Sequence, residues 1–224
     1  MLHHVIAMGA GREPADLLQT IHLPIPSLES LRIPAQFKKV RAINVIPGQI
    51  LTRQHILEAT TREGYVVADP TRDLLKLAVV ERHRGTGNIG LGLVMGFGLR
   101  AGALASSVAH DSHNLIAVGI DDGDVLCALR EVSRLGGVLA VCAGGRVLSS
   151  LALPIAGLMT HAPLAQVTEA FEALHQGAKT LGCALTRPFM ALSFLALPVI
   201  PELRLTDRGL VDVERACFVP LHAA

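Results

Sequence analysis

Aromatic residues are almost missing from this chain: no tryptophan, one tyrosine and six phenylalanines in 224 residues. A core must therefore be built from Leu, Val, Ile and Ala, and the aromatic platforms on which single-stranded nucleic acids stack are absent. Charge is sparse too. Twenty Lys and Arg stand against nineteen Asp and Glu, a formal net charge of +1. No basic stripe is available to neutralise phosphates, so the composition argues against a nucleic-acid partner. A free purine base is not excluded on either ground. The four cysteines, Cys127, Cys142, Cys183 and Cys217, form no C-x-x-C pair, so buried reduced thiols are expected in place of a zinc site. Apolar runs are broken by Gly, Pro or charge well short of the ~20 residues of a membrane span. The opening "MLHHVIAMGAGREPAD" lacks a basic n-region and a clear cleavage site, and reads as neither signal peptide nor anchor. No membrane association and a cytoplasmic location are expected.

What is present is a strongly apolar chain, 50% hydrophobic and 17% charged, with ample means to bury a core. Residues 1–39 read as an irregular tail or linker, because "HLPIPSLESLRIP" carries three prolines. A composition change near Lys39 sets the boundary of a second unit, residues 40–224. There, 40–45 and 50–57 read as strands around the turn Pro47-Gly48, and "LLKLAVVERH" as a third. "NIGLGLVMGFGLRAG" is apolar but too rich in glycine for a regular helix. "GALASSVAH" and "NLIAVGI" read as strands joined through Asp111, Ser112, His113 and Asn114. "DDGDVLCALREVSRLGG" has an Asp cap, an apolar face of Val125, Leu126, Leu129, Val132 and Leu135, and a Gly136-Gly137 stop, which predicts a helix. "GVLAVCAGGRVLSSLAL" predicts a hairpin with Ala143-Gly144-Gly145 at its tip. "LAQVTEAFEALHQGAKTLG" predicts a second amphipathic helix, and "RPFMALSFLALPVIPELRLTDRGLVDV" a buried helical segment, a Pro-punctuated loop and a polar turn. Strands and helices mix without strict βαβ alternation. The class expected is α+β, mixed sheets with packed helices and no TIM barrel.

Three segments carry chemistry. "GTGNIG", residues 85–90, satisfies G-x-G-x-x-G after a predicted strand, with Asp111 about 20 residues on. The charged run before its first glycine and the glycines after it weigh against a dinucleotide fingerprint. In "VVERHRGTG", Glu81 and His83 share a strand face; the plainer reading pairs Glu81 with Arg82 or Arg84 at the surface. The densest cluster is "SSVAHDSHN", residues 106–114. His110 and His113 at i and i+3 can converge, and Asp111 can orient an imidazole. With one carboxylate they would just make three metal ligands, His110, His113 and Asp111. The same residues also suit a proton-transfer site, or a polar turn held by Asp111 and Asn114 through Asx-type bonds. Spacing leaves these alternatives open.

The run "ERHRGTGNIGLGLVMGFGLRAGALASSVAHDSHNLIAVG" resembles the C-terminal domain of bacterial adenine deaminase, in the amidohydrolase superfamily. The likeness starts near "VRAINVIPGQILT" and continues through "GGVLAV", "LPIAGLMT", "PFMALSFLALPVIPELRLTDRGLVDV" and "FVPL", about residues 40 to 220. Arg84 stands where many members carry a second His. The resemblance implies hydrolysis of adenine to hypoxanthine and ammonia, with a binuclear manganese or iron centre whose ligands belong to an N-terminal (β/α)8 barrel. A chain of 224 residues does not hold the ~250 of such a barrel plus this domain, and the H-x-H expected on a first barrel strand is absent. A truncated or stand-alone relative is therefore expected, with no cofactor assigned to the chain itself. On this resemblance Glu81, His83, His110, Asp111, His113 and Asn114 form one polar patch that acts as a proton shuttle or closes over the active site. Expected partners are adenine or a related purine, a separate barrel subunit and further copies of the chain. The alternative is a catalytically silent purine-binding or oligomerisation module.

Overall fold

The computed structural model describes residues 18, 20–24 and 26–223. The opening segment read above as neither signal nor anchor lies outside them. In chain order the elements are β1 (Ile33–Pro34), β2 (Lys39–Val45), β3 (Thr52–Glu58), β4 (Thr61–Arg62), β5 (Tyr65–Val66), β6 (Leu75–Val80), β7 (Ile89–Met95), β8 (Ala103–Ser106) and β9 (Leu115–Gly119). Then follow α1 (Asp122–Leu135), β10 (Val138–Ala143), β11 (Arg146–Ala152), α2 (Leu164–Thr180), α3 (Pro188–Phe194), β12 (Leu203–Thr206), β13 (Gly209–Asp212), β14 (Cys217–Val219) and β15 (His222–Ala223). The class is α+β, without a closed barrel among the described residues.

A nine-stranded mixed sheet runs β11-β10-β8-β9-β6-β7-β2-β15, with β3 also paired to β2. All its pairings are antiparallel except β2 with β7. Its central strands are covered on both faces, which explains their unbroken apolar runs. One face presents Leu75, Leu77, Val79, Ile116, Val118, Leu139 and Val141 to a core closed by α2, α3 and the β12–β13 hairpin. The opposite face presents Ala78, Val80, Ala103, Ala105, Leu115, Ala117 and Ala140 to α1. Small residues there let α1 approach closely, as its own Ala128 and Val132 do from the other side.

Helix α1 follows the signals in its sequence. The Asp121 carboxylate accepts from the Asp124 amide at 2.9 Å, and Gly136, at φ +70°, ends the helix in the left-handed region. The Gly144-Gly145 tip of the β10–β11 hairpin takes positive φ at both residues, which suits the twist of the strands it joins.

Three regions go beyond or against expectation. The glycine-rich stretch after Asn88 is strand β7, paired along its length with β6. With no helix following "GTGNIG", the dinucleotide fingerprint lacks the helix N-terminus it needs. The region expected as loop and polar turn after Pro201 contains the hairpin β12–β13. Among the residues read as an irregular tail, Leu31 and Ile33 are buried, β1 pairs β5, and the Leu31 carbonyl accepts from the buried ammonium of Lys76. The Lys76 charge is met by Asp122. Of the cysteines, Cys142 and Cys183 are buried as expected, but Cys127 is half-buried and Cys217 exposed; all four are free. Among the described residues no helix is long and apolar enough to cross a membrane.

Candidate functional site at one end of the central sheet

Strand register decides which loops meet. Val80 lies opposite Leu115, Ser106 opposite Ile116, Leu139 opposite Ser106, and Val138 opposite Ala152. The connections 81–88, 107–114 and 153–160 therefore leave the sheet at the same end. The turn of the β12–β13 hairpin joins them through Asp207. Its carboxylate accepts from the Asn114 side-chain amide at 3.1 Å and from that of Asn88 at 3.4 Å.

Glu81 is turned into its own loop. Its carboxylate accepts from the backbone amides of His83 (2.5 Å), Arg84 (2.8 Å) and Thr86 (3.0 Å), and from the Thr86 hydroxyl (3.1 Å). Burial pushes this carboxyl up, but the amides of Thr86, Arg84 and His83 pull it further the other way and hold it at about 2. The surface pairing of Glu81 with Arg82 or Arg84 is thus not what forms; the carboxylate organises the loop backbone. That loop presents His83, whose Nε2–H donates to the Ser112 carbonyl at 2.7 Å. A carbonyl only accepts, which fixes the proton on Nε2.

The 107–114 connection folds tightly on itself. The His113 amide donates to the Ala109 carbonyl at 2.6 Å, and the Ala109 amide donates back to His113 Nδ1 at 3.3 Å. His113 adopts φ +49°, a left-handed conformation uncommon outside glycine. Its imidazole is pushed down from the usual histidine range, first by burial and then by His110 and Arg82. His113 is therefore neutral at pH 7, with Nδ1 occupied as acceptor and the proton on Nε2. The His110 and His113 rings stand edge-on with centroids 5.6 Å apart, and His110 also packs 4.9 Å from the Phe194 ring of α3. Asp111 is exposed at the tip. Asn114 is buried at the start of β9, and its Oδ1 has no partner among the described residues.

Of the expected patch, the structure brings His83 to the 110–114 turn and sets His110 beside His113. It keeps Glu81 behind the loop and aims Asn114 sideways at Asp207. Among the described residues no three His, Cys, Asp or Glu side chains form a group that could hold a metal ion. The described residues therefore do not fit a manganese or iron centre, and no step through one is assigned to them.

The residue that sequence reading passed over is Arg82. It is 2% exposed, and its Nη2 donates to the Ala156 carbonyl at 3.0 Å. Nε and Nη1 have no partner among the described residues, and burial pulls the guanidinium pKa down. Ser107 anchors the same neighbourhood, donating to the Gly157 carbonyl at 2.6 Å and accepting from the Val138 amide at 2.9 Å. The signal for Arg82 was available: it sits between a fully buried strand and a charged run, where one of the charges had to turn inward.

The sequence matches the family described as "Adenine deaminase C-terminal domain" over residues 49–217. It is 51% identical to an adenine deaminase of Oleidesulfovibrio alaskensis over 96% of the chain and 38% of that relative. It is 56% identical to an adenine deaminase of Desulfatibacillum aliphaticivorans over 93% of the chain and 36% of that relative. An adenine deaminase of Methanothrix thermoacetophila is 50% identical over 94% of the chain and 37% of its own length. The chain thus spans little more than a third of the curated relatives it matches. With its mixed sheet, its loop cluster and these matches, the chain belongs to the adenine deaminase C-terminal domain family.

Proposed function

We propose that this chain serves hydrolytic deamination of adenine to hypoxanthine and ammonia as the domain that completes, but does not contain, the metal centre. The observation that carries the reading is a mismatch of lengths. The chain matches adenine deaminases over 96% of itself yet only 38% of the relative, and its described residues offer no ligand group for a metal. Manganese or iron, which would activate water in this reaction, would then be held by the part of the relatives that this chain does not span. The contribution of this chain is its loop end. His83 clamps the 110–114 turn, Glu81 stiffens the loop that carries His83, and the neutral His113 offers an Nε2 proton. A neutral imidazole in that state keeps its proton and can donate an Nε2–H hydrogen bond to the purine or to the departing amine. A cytoplasmic location and purine salvage suit this reading. The rival reading is a silent purine-binding or assembly module, with which the lack of a ligand group among the described residues is equally consistent.

The test is adenine turnover, followed by the ultraviolet change as hypoxanthine forms. The purified chain with manganese is expected to be inactive alone and active when mixed with the N-terminal remainder of the Oleidesulfovibrio alaskensis relative. Inactivity of a properly folded mixture would favour the silent module. Chelator-sensitive turnover by the chain alone would overturn both readings.

A further inference from the structure

A cavity of about 310 Å³ lies between the loop 46–52, residues 185–187 and α3. It is separate from the loop cluster described above, although Phe194 touches both, lining the cavity and packing on His110. The size falls at the lower end of small-molecule sites. Its walls are apolar, with Leu185, Met190, Phe194 and Leu195, and its rim carries Ile50 and Leu51, both substantially exposed. No aspartate or glutamate lines it, whereas two arginines do, Arg187 and Arg204.

Arg204 is 0% exposed. Its Nε donates to the Ile200 carbonyl at 2.7 Å, and Nη2 donates to the carbonyls of Ile50 at 2.6 Å and Pro201 at 3.1 Å. Nη1 has no partner among the described residues. Burial lowers the pKa to about 10, so the group remains a cation at neutral pH. Among the described residues its partners are carbonyl oxygens alone, and no carboxylate neutralises it. A buried charge without a counter-ion is costly unless something compensates it. Three carbonyls would suffice to staple the loops at 50 and 200. They do not account for a free nitrogen, for a second arginine at the same cavity, or for the lack of any acid there.

We propose that this cavity binds a small organic monoanion, a carboxylate carried on an apolar or aromatic group, with the carboxylate on Arg204 and Arg187. The guanidinium of Arg187 can meet the carboxylate in two parallel hydrogen bonds, Arg204 adds one from its unpartnered Nη1, and Met190 and Phe194 take the apolar part. Nothing in this inference depends on deamination.

Calorimetric titration of the 224-residue chain with benzoate tests it, with benzamide as the neutral isostere and adenine as an uncharged base. Saturable binding of benzoate is expected at millimolar concentration or below, with benzamide weaker by roughly tenfold or more. Arg187→Ala, at an exposed position, should weaken benzoate severalfold with no change in melting temperature. Met190→Ala should weaken it without removing the preference for the anion. Arg204→Lys is read only if it melts like the parent, and should then lose most of the affinity. Absence of benzoate binding by the folded parent would overturn the inference. So would equal affinity for benzoate and benzamide, preference for adenine, or indifference to Arg187→Ala.

Discussion

The imidazole of His83 meets the carbonyl of Ser112 at 2.7 Å, closing one loop on another across 29 positions of sequence. Strands β6 and β9 bring the loops near each other, and this bond sets the spacing between them. Removing it is expected to loosen the histidine turn more than the fold. His83→Ala should cost about 1 kcal/mol in denaturant unfolding, the usual net value of one hydrogen bond. It should also speed amide exchange at residues 110–114 while leaving β6 and β9 protected. Unchanged exchange in the turn would show that the 107–114 bonds alone hold it.

Glu81 gives that loop an acid-sensitive foundation. Folding holds its carboxyl at about 2, below the 4.5 of an unperturbed group, so the unfolded chain takes up the proton first. The stabilisation is complete above pH 4.5 and lost as pH falls from 4.5 towards 2. Glu81→Gln should be less stable than the parent at pH 7 by about 2 kcal/mol, the scale of hydrogen bonds to a charged acceptor. Urea midpoints measured against pH should converge at the acid end. Parallel curves down to pH 2 would contradict the assignment.

His113 should be neutral at pH 7. Its pKa lies under 6.5 because burial, His110 and Arg82 all oppose the cation. Nitrogen chemical shifts should show Nδ1 unprotonated and Nε2 protonated near neutrality, with the titration midpoint below 6.5. A midpoint at or above 6.5 would mean that the ring is exposed and the Ala109 contact is broken.

The hairpin β12–β13 is locked to β7 by a glycine. A methyl group at Gly90 would stand 1.8 Å from the Thr206 carbonyl oxygen. Backbone must move to admit it, so Gly90→Ala should destabilise by about 2–3 kcal/mol. Asp207 lies in the adjoining turn, so the same change should disturb the Asn114 side-chain resonances. A neutral effect on stability would show that the hairpin rides loosely on the sheet.

How far the sequence foretold this arrangement depended on the kind of signal. Helix α1 was legible because Asp121, its apolar spacing and Gly136 all act within one short segment. The pairing of the 81–83 and 106–114 segments was legible only as a grouping of polar residues near strand ends. Their meeting depends on β6 lying beside β9, a choice made by tertiary packing. Strand β7 was obscured because Gly90 and Gly92 lower strand propensity, and they are there for closeness to Thr206 and Leu205. The β12–β13 hairpin was obscured by the prolines before it. Arg204 was unreadable as a buried cation, since only the fold decides which of many arginines turns inward, whereas the place of Arg82 between a buried strand and a charged run was a usable signal.

The most direct test of the account joins this chain to the N-terminal remainder of the Desulfatibacillum aliphaticivorans relative and compares that fusion with its His113→Ala form. The account predicts that the parent fusion deaminates adenine. The variant should lose roughly a hundredfold in kcat, the scale of one preorganised hydrogen-bond donor, with bound metal and melting temperature unchanged. Turnover by the variant at the parent rate, with the fold intact, would contradict it and leave the histidine turn a purely structural feature.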